Sequence, residues 1–209
     1  MEAELKTECV FLVVLLGQFS SSFSQGSHST SSGHVFGGGV TIENTDLNRD
    51  VGGFCLGIST LPARRLFAMC GTLSARWGLR DDESGVISIQ AYELSAIPKV
   101  NLFALFYRSG DATGDIEEVI PFGLGGGAGI GYMVFRRSYT ETYTTPFSFV
   151  FQTHTKLYWD HLFLRYEVFC YAMLSKRIGL CAEYSAYHPI TGDRLIRISE
   201  LRIGIAIAV

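Results

Sequence analysis

Beyond its first two dozen residues this chain has no apolar run near the 18 or so uncharged residues that a membrane helix needs, so a helical span is excluded there. Proline is scarce, five in 209 residues, and no segment carries a convincing 3.6-residue apolar period, which argues against a helical protein. Charge is sparse, at 18%, and has no basic surplus. Lys+Arg 17 against Asp+Glu 20 gives a net −3, so a nucleic-acid-binding surface is not expected. What is abundant is glycine, with 23 residues, and apolar side chains, at 47%, dispersed in alternation rather than gathered in runs. That length supports one domain. The composition alone suits a soluble all-β sandwich and a lipid-embedded β-barrel equally well.

The one concentrated apolar block is Cys9-Val10-Phe11-Leu12-Val13-Val14-Leu15-Leu16-Gly17. It has signal-peptide length, and Ser22-Phe23-Ser24 supplies small residues for cleavage before Gln25. Residues 1–24 are therefore read as an export signal, although Glu2, Glu4 and Glu8 outnumber Lys6 in a region that is normally basic. Removing that net −2 from −3 leaves −1 on the remainder. Residues 25–33, rich in Ser, Gly and His, read as a flexible leader, and 34–209 as the folded domain.

The domain is organised around Pro121–Phe135. Its even positions, Phe122, Leu124, Gly126, Ala128, Ile130, Tyr132 and Val134, are mostly apolar, and its odd positions from 123 to 131 are all glycine. Alternate side chains of a strand lie on opposite faces, so this strand is greasy on one face and bare on the other. In a small membrane barrel the greasy face meets lipid and the glycines make room inside. The same two-face pattern sets Phe67, Met69, Leu73, Ala75, Trp77 and Leu79 against Cys70, Thr72, Ser74 and Arg76. It also sets Leu162, Leu164, Tyr166 and Val168 against Arg165 and Glu167, and Leu201, Ile203, Ile205 and Ile207 against Arg202 and Gly204.

Ten alternating segments follow from the turn signals: 34–43, 51–60, 66–79, 85–96, 99–108, 121–136, 146–158, 161–173, 177–188 and 199–209. Segments of about ten residues suit tilted strands crossing a bilayer. The expected fold is all-β: a single closed antiparallel up-and-down transmembrane β-barrel. Ten strands are favoured, and eight are allowed if one pair of segments only extends a loop hairpin. Alternating the connections places 61–65, 97–99, 137–145 and 174–177 on one side, where Arg64, Arg65, Lys99, Lys176 and Arg177 gather. The other side receives 45–50, 80–85, 109–120, 159–160 and 189–199, and most of the acidic residues. Trp77, Tyr107, Tyr132, Tyr158, Trp159 and Tyr187, near segment ends, are expected at the membrane interfaces.

Gly-Leu-Gly-Gly-Gly-Ala-Gly-Ile-Gly-Tyr, Leu174–Tyr184 and the closing Leu-Arg-Ile-Gly-Ile-Ala-Ile-Ala-Val resemble the small outer-membrane barrels of diderm bacteria, the OmpW, OmpX and OmpA-barrel group. The resemblance covers nearly all of 34–209 and is one of pattern. One departure is Val209, where that group usually has an aromatic residue. The resemblance implies residence in the outer membrane, in contact with its lipid, and a narrow passive channel for small solutes. One alternative is a structural or adhesin-like barrel with a plugged lumen, binding an extracellular partner through loops 80–85, 109–120 and 189–199. Another is a soluble, lipocalin-like binding barrel.

The inward polar residues are expected to be Glu43, Arg76, Gln90, Gln152, His154, Lys156, Arg165, Glu167, Glu183 and Arg202, lining a closed or very narrow lumen. Arg165 and Glu183 are expected to pair across strands. Cys55 and Cys70, equidistant from a turn near Pro62 and Ala63, are a candidate disulfide, the alternative being two free buried thiols. Cys170 and Cys181 fall on opposite faces and are expected to stay unbonded. Gly123-x-Gly125-x-x-Ala128 lacks the following helix of a dinucleotide loop. Asp111, Asp115, Asp160, His161, His188 and Asp193 read as solvated loop groups rather than an active site. No catalytic residue, metal ligand or cofactor is expected.

Overall fold

The computed structural model describes residues 32–44, 49–82, 85–106, 120–145, 148–191 and 196–208. The signal reading, residues 25–31 of the leader and most of loop 109–120 lie outside the described residues, while Ser32 and Gly33, expected in the leader, open the first strand. Among these residues there are eight strands: β1 (Ser32–Asn44), β2 (Arg49–Leu61), β3 (Phe67–Asp82), β4 (Gly85–Asn101), β5 (Phe122–Thr145), β6 (Ser148–Met173), β7 (Ile178–Pro189) and β8 (Ile196–Ala208), with a 3-10 turn at Leu102–Leu105. Each pairs antiparallel with its sequence neighbours, and β8 pairs with β1, closing the barrel. Closure leaves no open sheet edge around the barrel body, as lipid requires.

Ten expected strands become eight because two turn signals are not turns. Ile97-Pro98-Lys99 lies inside β4, which keeps one register with β5 from Ala96↔Ile130 to Lys99↔Gly127. Trp159-Asp160 lies inside β6, at a register irregularity: Met133 faces His161, but Phe135 faces Tyr158. The extra residue is a β-bulge, which bends a strand without ending it. Likewise 137–145 is not a turn but the far end of β5.

These corrections also change sidedness. The connection from β4 to β5, which contains 109–120, joins strand ends at the same end of the barrel as 62–66, 174–177 and the start of β1. Loops 80–85 and 189–199 are at the opposite end, so the three loops do not form one surface.

The face assignments of the barrel body follow the alternation. The odd residues of β5 from Gly123 to Phe135 face the lumen, and the even ones, such as Leu124 and Ile130, face out. The glycines are required where aromatic rings of β6 lie over them. A Cβ at Gly123 would come within 1.9 Å of the Tyr171 ring, and one at Gly131 within 2.4 Å of the Phe163 ring. Outside, Phe54, Leu56, Met69, Ile130, Val168, Leu180, Leu201 and Ile203 are among many large apolar side chains left exposed around the barrel. In water so much apolar surface would drive association, whereas in a bilayer it is the solvated face. A soluble lipocalin-like barrel would present the reverse arrangement.

Two of the expected interfacial aromatics can be placed outside: Tyr132 is exposed, and Trp77 stacks on Phe54 at 5.1 Å. Tyr187 instead points inward and is buried, because β7 turns its odd positions to the lumen. Tyr107 lies outside the described residues, and the side chains of Tyr158 and Trp159 are not described.

Candidate functional site

The lumen is layered. Toward the loop end, Val40, Ile42, Val51, Ile87, Ile89, Ala91, Met133, Phe135, Phe163 and Ile198 pack with the Tyr187 ring into one apolar cluster. Toward the end that carries the start of β1, Leu61, Ala63, Phe169, Tyr171, Cys181 and Ala206 form a second. Between them lie four cations, Arg76, Lys99, Arg165 and Arg202, and four carboxylates, Glu93, Glu167, Glu183 and Glu200, all buried.

These eight groups pair with one another, although Arg76 Nη1, Arg165 Nε and Arg202 Nη1 make no hydrogen bond among the described residues. Glu93 is the hub: it pairs with Arg76, accepts from Arg165 Nη1 at 2.9 Å, and accepts from Ser74 at 2.9 Å and Ser95 at 2.6 Å. Glu200 pairs with Arg76 and Arg202, the latter through Nε at 2.7 Å. Glu167 pairs with Arg165 and Lys99. Glu183 lies 3.3 Å from Lys99 and 3.6 Å from Arg202. The Tyr187 hydroxyl is the junction. It accepts from Arg76 at 2.8 Å and from Arg202, and lies 3.1 Å from both Glu93 and Glu200. With one proton it can donate to only one of those carboxylates at a time. Aromatic faces complete the desolvated shell, with Arg202 over Phe36 at 4.3 Å and Arg76 over Tyr187 at 4.7 Å.

Of the residues expected to line the lumen, Arg76, Arg165, Glu167, Glu183 and Arg202 are brought together here. Arg165 pairs with Glu93 and Glu167 rather than Glu183, because β6 and β7 set it opposite Tyr187. Glu43 is exposed, and Gln90 is half-buried on the outer face, since Val40, Ile42, Ile87 and Ile89 take the inward positions there. Gln152 and His154 are exposed on β6 beyond the bulge, and Lys156 belongs to that same stretch. Lys99, expected in a turn, and Tyr187, expected at an interface, belong to this layer, as do Glu93 and Glu200, and His161, expected in a solvated loop, is buried in the lumen. The alternation of Ala91, Glu93 and Ser95 against Tyr92 and Leu94 carried the signal for Glu93.

The disulfide expectation is also corrected. The β2–β3 turn occupies 62–66, so the register centres three residues later than Pro62-Ala63 and sets Cys55 opposite Arg76. Six residues separate Arg76 from Cys70, about 20 Å along the strand, far beyond disulfide reach. Cys55, Cys70, Cys170 and Cys181 are all free, with Cys170 exposed and Cys181 buried.

An eight-stranded closed barrel with an apolar exterior and a charged, packed interior defines the class: a small transmembrane β-barrel of the outer-membrane type. Comparison with solved structures agrees at the level of fold. Neisserial surface protein A is 14% identical over 87% of this chain and 98% of its own, with a TM-score of 0.52. Ail, the attachment invasion locus protein of Yersinia pestis, solved with the heparin analogue sucrose octasulfate, is 11% identical over 87% of this chain and all of its own, with a TM-score of 0.50. No protein-family model matches the chain, and no curated protein does.

Proposed function

We propose that this chain is an outer-membrane barrel that does not conduct solutes and acts from its surface, through the arm formed by β5 and β6. The observation that carries the reading is the filled lumen: four cations paired with four carboxylates between two apolar layers. An eight-stranded barrel is only just wide enough for side chains to fill it. Here they do so without leaving charge over to hold a water column. The passive channel is thus the weaker of the two expectations.

The arm supports the second half of the reading. β6 is 26 residues long, about 85 Å of strand, whereas the apolar band of such barrels is about 25 Å tall. Its pairing with β7 reaches only to Phe163↔Pro189. The remainder pairs with β5, which stays paired with β4 as far as Val86↔Thr140, so 141–152 is the part that projects as a hairpin; at its base Ser138 meets Thr155 at 3.1 Å and Thr140 meets Thr153 at 3.0 Å. Short turns normally face the periplasm and longer projections the exterior; by that rule we read the arm as external, although the connection 102–121 lies at the opposite end. The side chains described at its base and on its β6 edge, Ser138, Thr140, Gln152, Thr153, His154 and Thr155, suit a partner recognised by hydrogen bonds.

Planar-bilayer recording of the refolded chain tests the first half, with no resolved unitary conductance expected. A steady, ion-selective conductance that changes in Arg165→Gln would overturn it. Replacing residues 141–152, beyond the last β4 pairing, by a two-residue turn tests the second half. The shortened barrel should refold with its heat-modifiable gel shift intact and lose binding of cells displaying it to host or envelope surfaces. Unchanged binding would overturn the arm reading.

A further inference from the structure

Toward the end of the lumen nearest the start of β1, Glu183 of the charge layer meets two groups outside that layer, His34 and Cys181. His34 comes from β1, and Cys181 and Glu183 from β7, with β8 between them presenting Ala206 opposite His34, Gly204 opposite Cys181 and Arg202 opposite Glu183. One candidate ligand atom from each of the three lies within 4.8 Å of the others. All are buried, His34 being 3% exposed, Cys181 3% and Glu183 2%. His34 Nε2 is 3.1 Å from Glu183 Oε2, yet neither imidazole nitrogen, nor that oxygen, makes a hydrogen bond among the described residues. A buried imidazole with both nitrogens unsatisfied is costly unless something else occupies them. Cys181 has no disulfide partner.

We propose that His34, Cys181 and Glu183 form a binding site for a borderline divalent cation, with Zn²⁺ the best match. One imidazole nitrogen, one thiolate and one carboxylate oxygen are donors of the kind Zn²⁺ takes in tetrahedral sites. Ca²⁺ and Mg²⁺ prefer oxygen throughout. Three protein ligands leave the fourth position to water or to the second carboxylate oxygen. Lys99, 3.3 Å from Glu183 Oε1, and Arg202, 3.6 Å from Oε2, orient the carboxylate. Their charge also opposes the ion, which the Cys181 thiol partly offsets by releasing its proton and binding as the thiolate. Leu61, Ala63, Phe169, Tyr171 and Ala206 close over the thiol, so the ion must enter as the barrel folds. It would tie β1 to β7 across β8, at the seam where the first and last strands close the barrel.

The test is to refold the full chain in detergent, under a non-thiol reductant, with one equivalent of Co²⁺ or Zn²⁺. Folding is checked by heat-modifiable migration. Expected are a thiolate-to-cobalt charge-transfer band with tetrahedral visible bands, and one Zn²⁺ retained per chain after dialysis. Cys181→Ser should abolish the charge-transfer band while the gel shift persists. His34→Gln should weaken retention by at least about tenfold, the loss that even an outer hydrogen-bond partner of a ligand causes, and it carries the test if Cys181→Ser does not refold. Folded wild-type chain with neither band nor retained zinc would overturn the site and leave His34 and Glu183 as a plain ion pair. So would a charge-transfer band that survives in Cys181→Ser.

Discussion

The two halves of β6 make the sharpest contrast in the molecule. From His161 to Tyr171 its odd residues enter the lumen and all of them are buried, Arg165 and Glu167 included. Beyond the bulge, at 152–155, both even and odd residues are exposed. The sequence alternates on both sides of Trp159-Asp160, yet only one side has seven other strands around it. Alternation therefore reports that a strand has two unlike faces, not that either face is buried. What decides burial is how many neighbours reach that height, and β7 stops at Pro189. A charge on the inner half must be matched within the barrel. A polar group on the arm is matched by water.

The largest effect that sharpens this contrast is expected at the hub. Glu93→Gln leaves Arg76 and Arg165 without their shared carboxylate in a buried setting. Breaking a buried pair from one side typically costs about 3–5 kcal/mol. Urea unfolding of the refolded barrel in detergent should show a loss of that size. A loss under about 1 kcal/mol would mean that water reaches the layer, reviving the channel. Because Arg165 and Glu167 touch, the double replacement Arg165→Met with Glu167→Leu should cost less than the sum of the two singles.

Next comes the glycine face. Gly131→Val directs a branched side chain into the Phe163 ring and Ser95, against backbone that is fixed by pairing on both sides. Overpacking of this kind costs about 1–3 kcal/mol. Gly39, where an added Cβ would meet nothing within 4 Å, is the control: Gly39→Ala should leave the unfolding midpoint nearly unchanged. Equal effects at the two positions would show that the rings do not occupy the glycine groove.

The parts legible in the sequence were those governed by period two. The greasy and bare faces of β5, the inward Arg76, Arg165, Glu167, Glu183 and Arg202, and the opposite faces of Cys170 and Cys181 all follow from counting alternate residues. What was not legible depended on register between strands. Pro62-Ala63 looks like the centre of a turn, but the β2–β3 pairing is centred between Arg65 and Leu66, and this offset separates Cys55 from Cys70. Pro98 looks like a break, yet a strand tolerates it where pairing resumes in the same register. Tyr187, near a strand end, reads as an interfacial aromatic until pairing places its hydroxyl between Arg76 and Arg202. Glu93 went unmatched because its partners come from β3 and β6, more than fifteen residues away in either direction.

The smallest expected effect is the most direct test of the opening contrast. Gln152 and His154 lie on the strand that carries Arg165 and Glu167, and on the same pattern they would be lumen groups. On the arm both are exposed. Gln152→Ala and His154→Ala should therefore each change stability by no more than about 0.5 kcal/mol, the range for surface sites. Removing the Thr153 hydroxyl, which meets Thr140 at 3.0 Å, should cost somewhere between about 0.2 and 1 kcal/mol, as cross-strand pairs do. If Gln152→Ala or His154→Ala instead cost 2 kcal/mol or more, on the order of a lost buried partner, the arm would be enclosed by something. The height at which β7 stops would then not mark where burial ends.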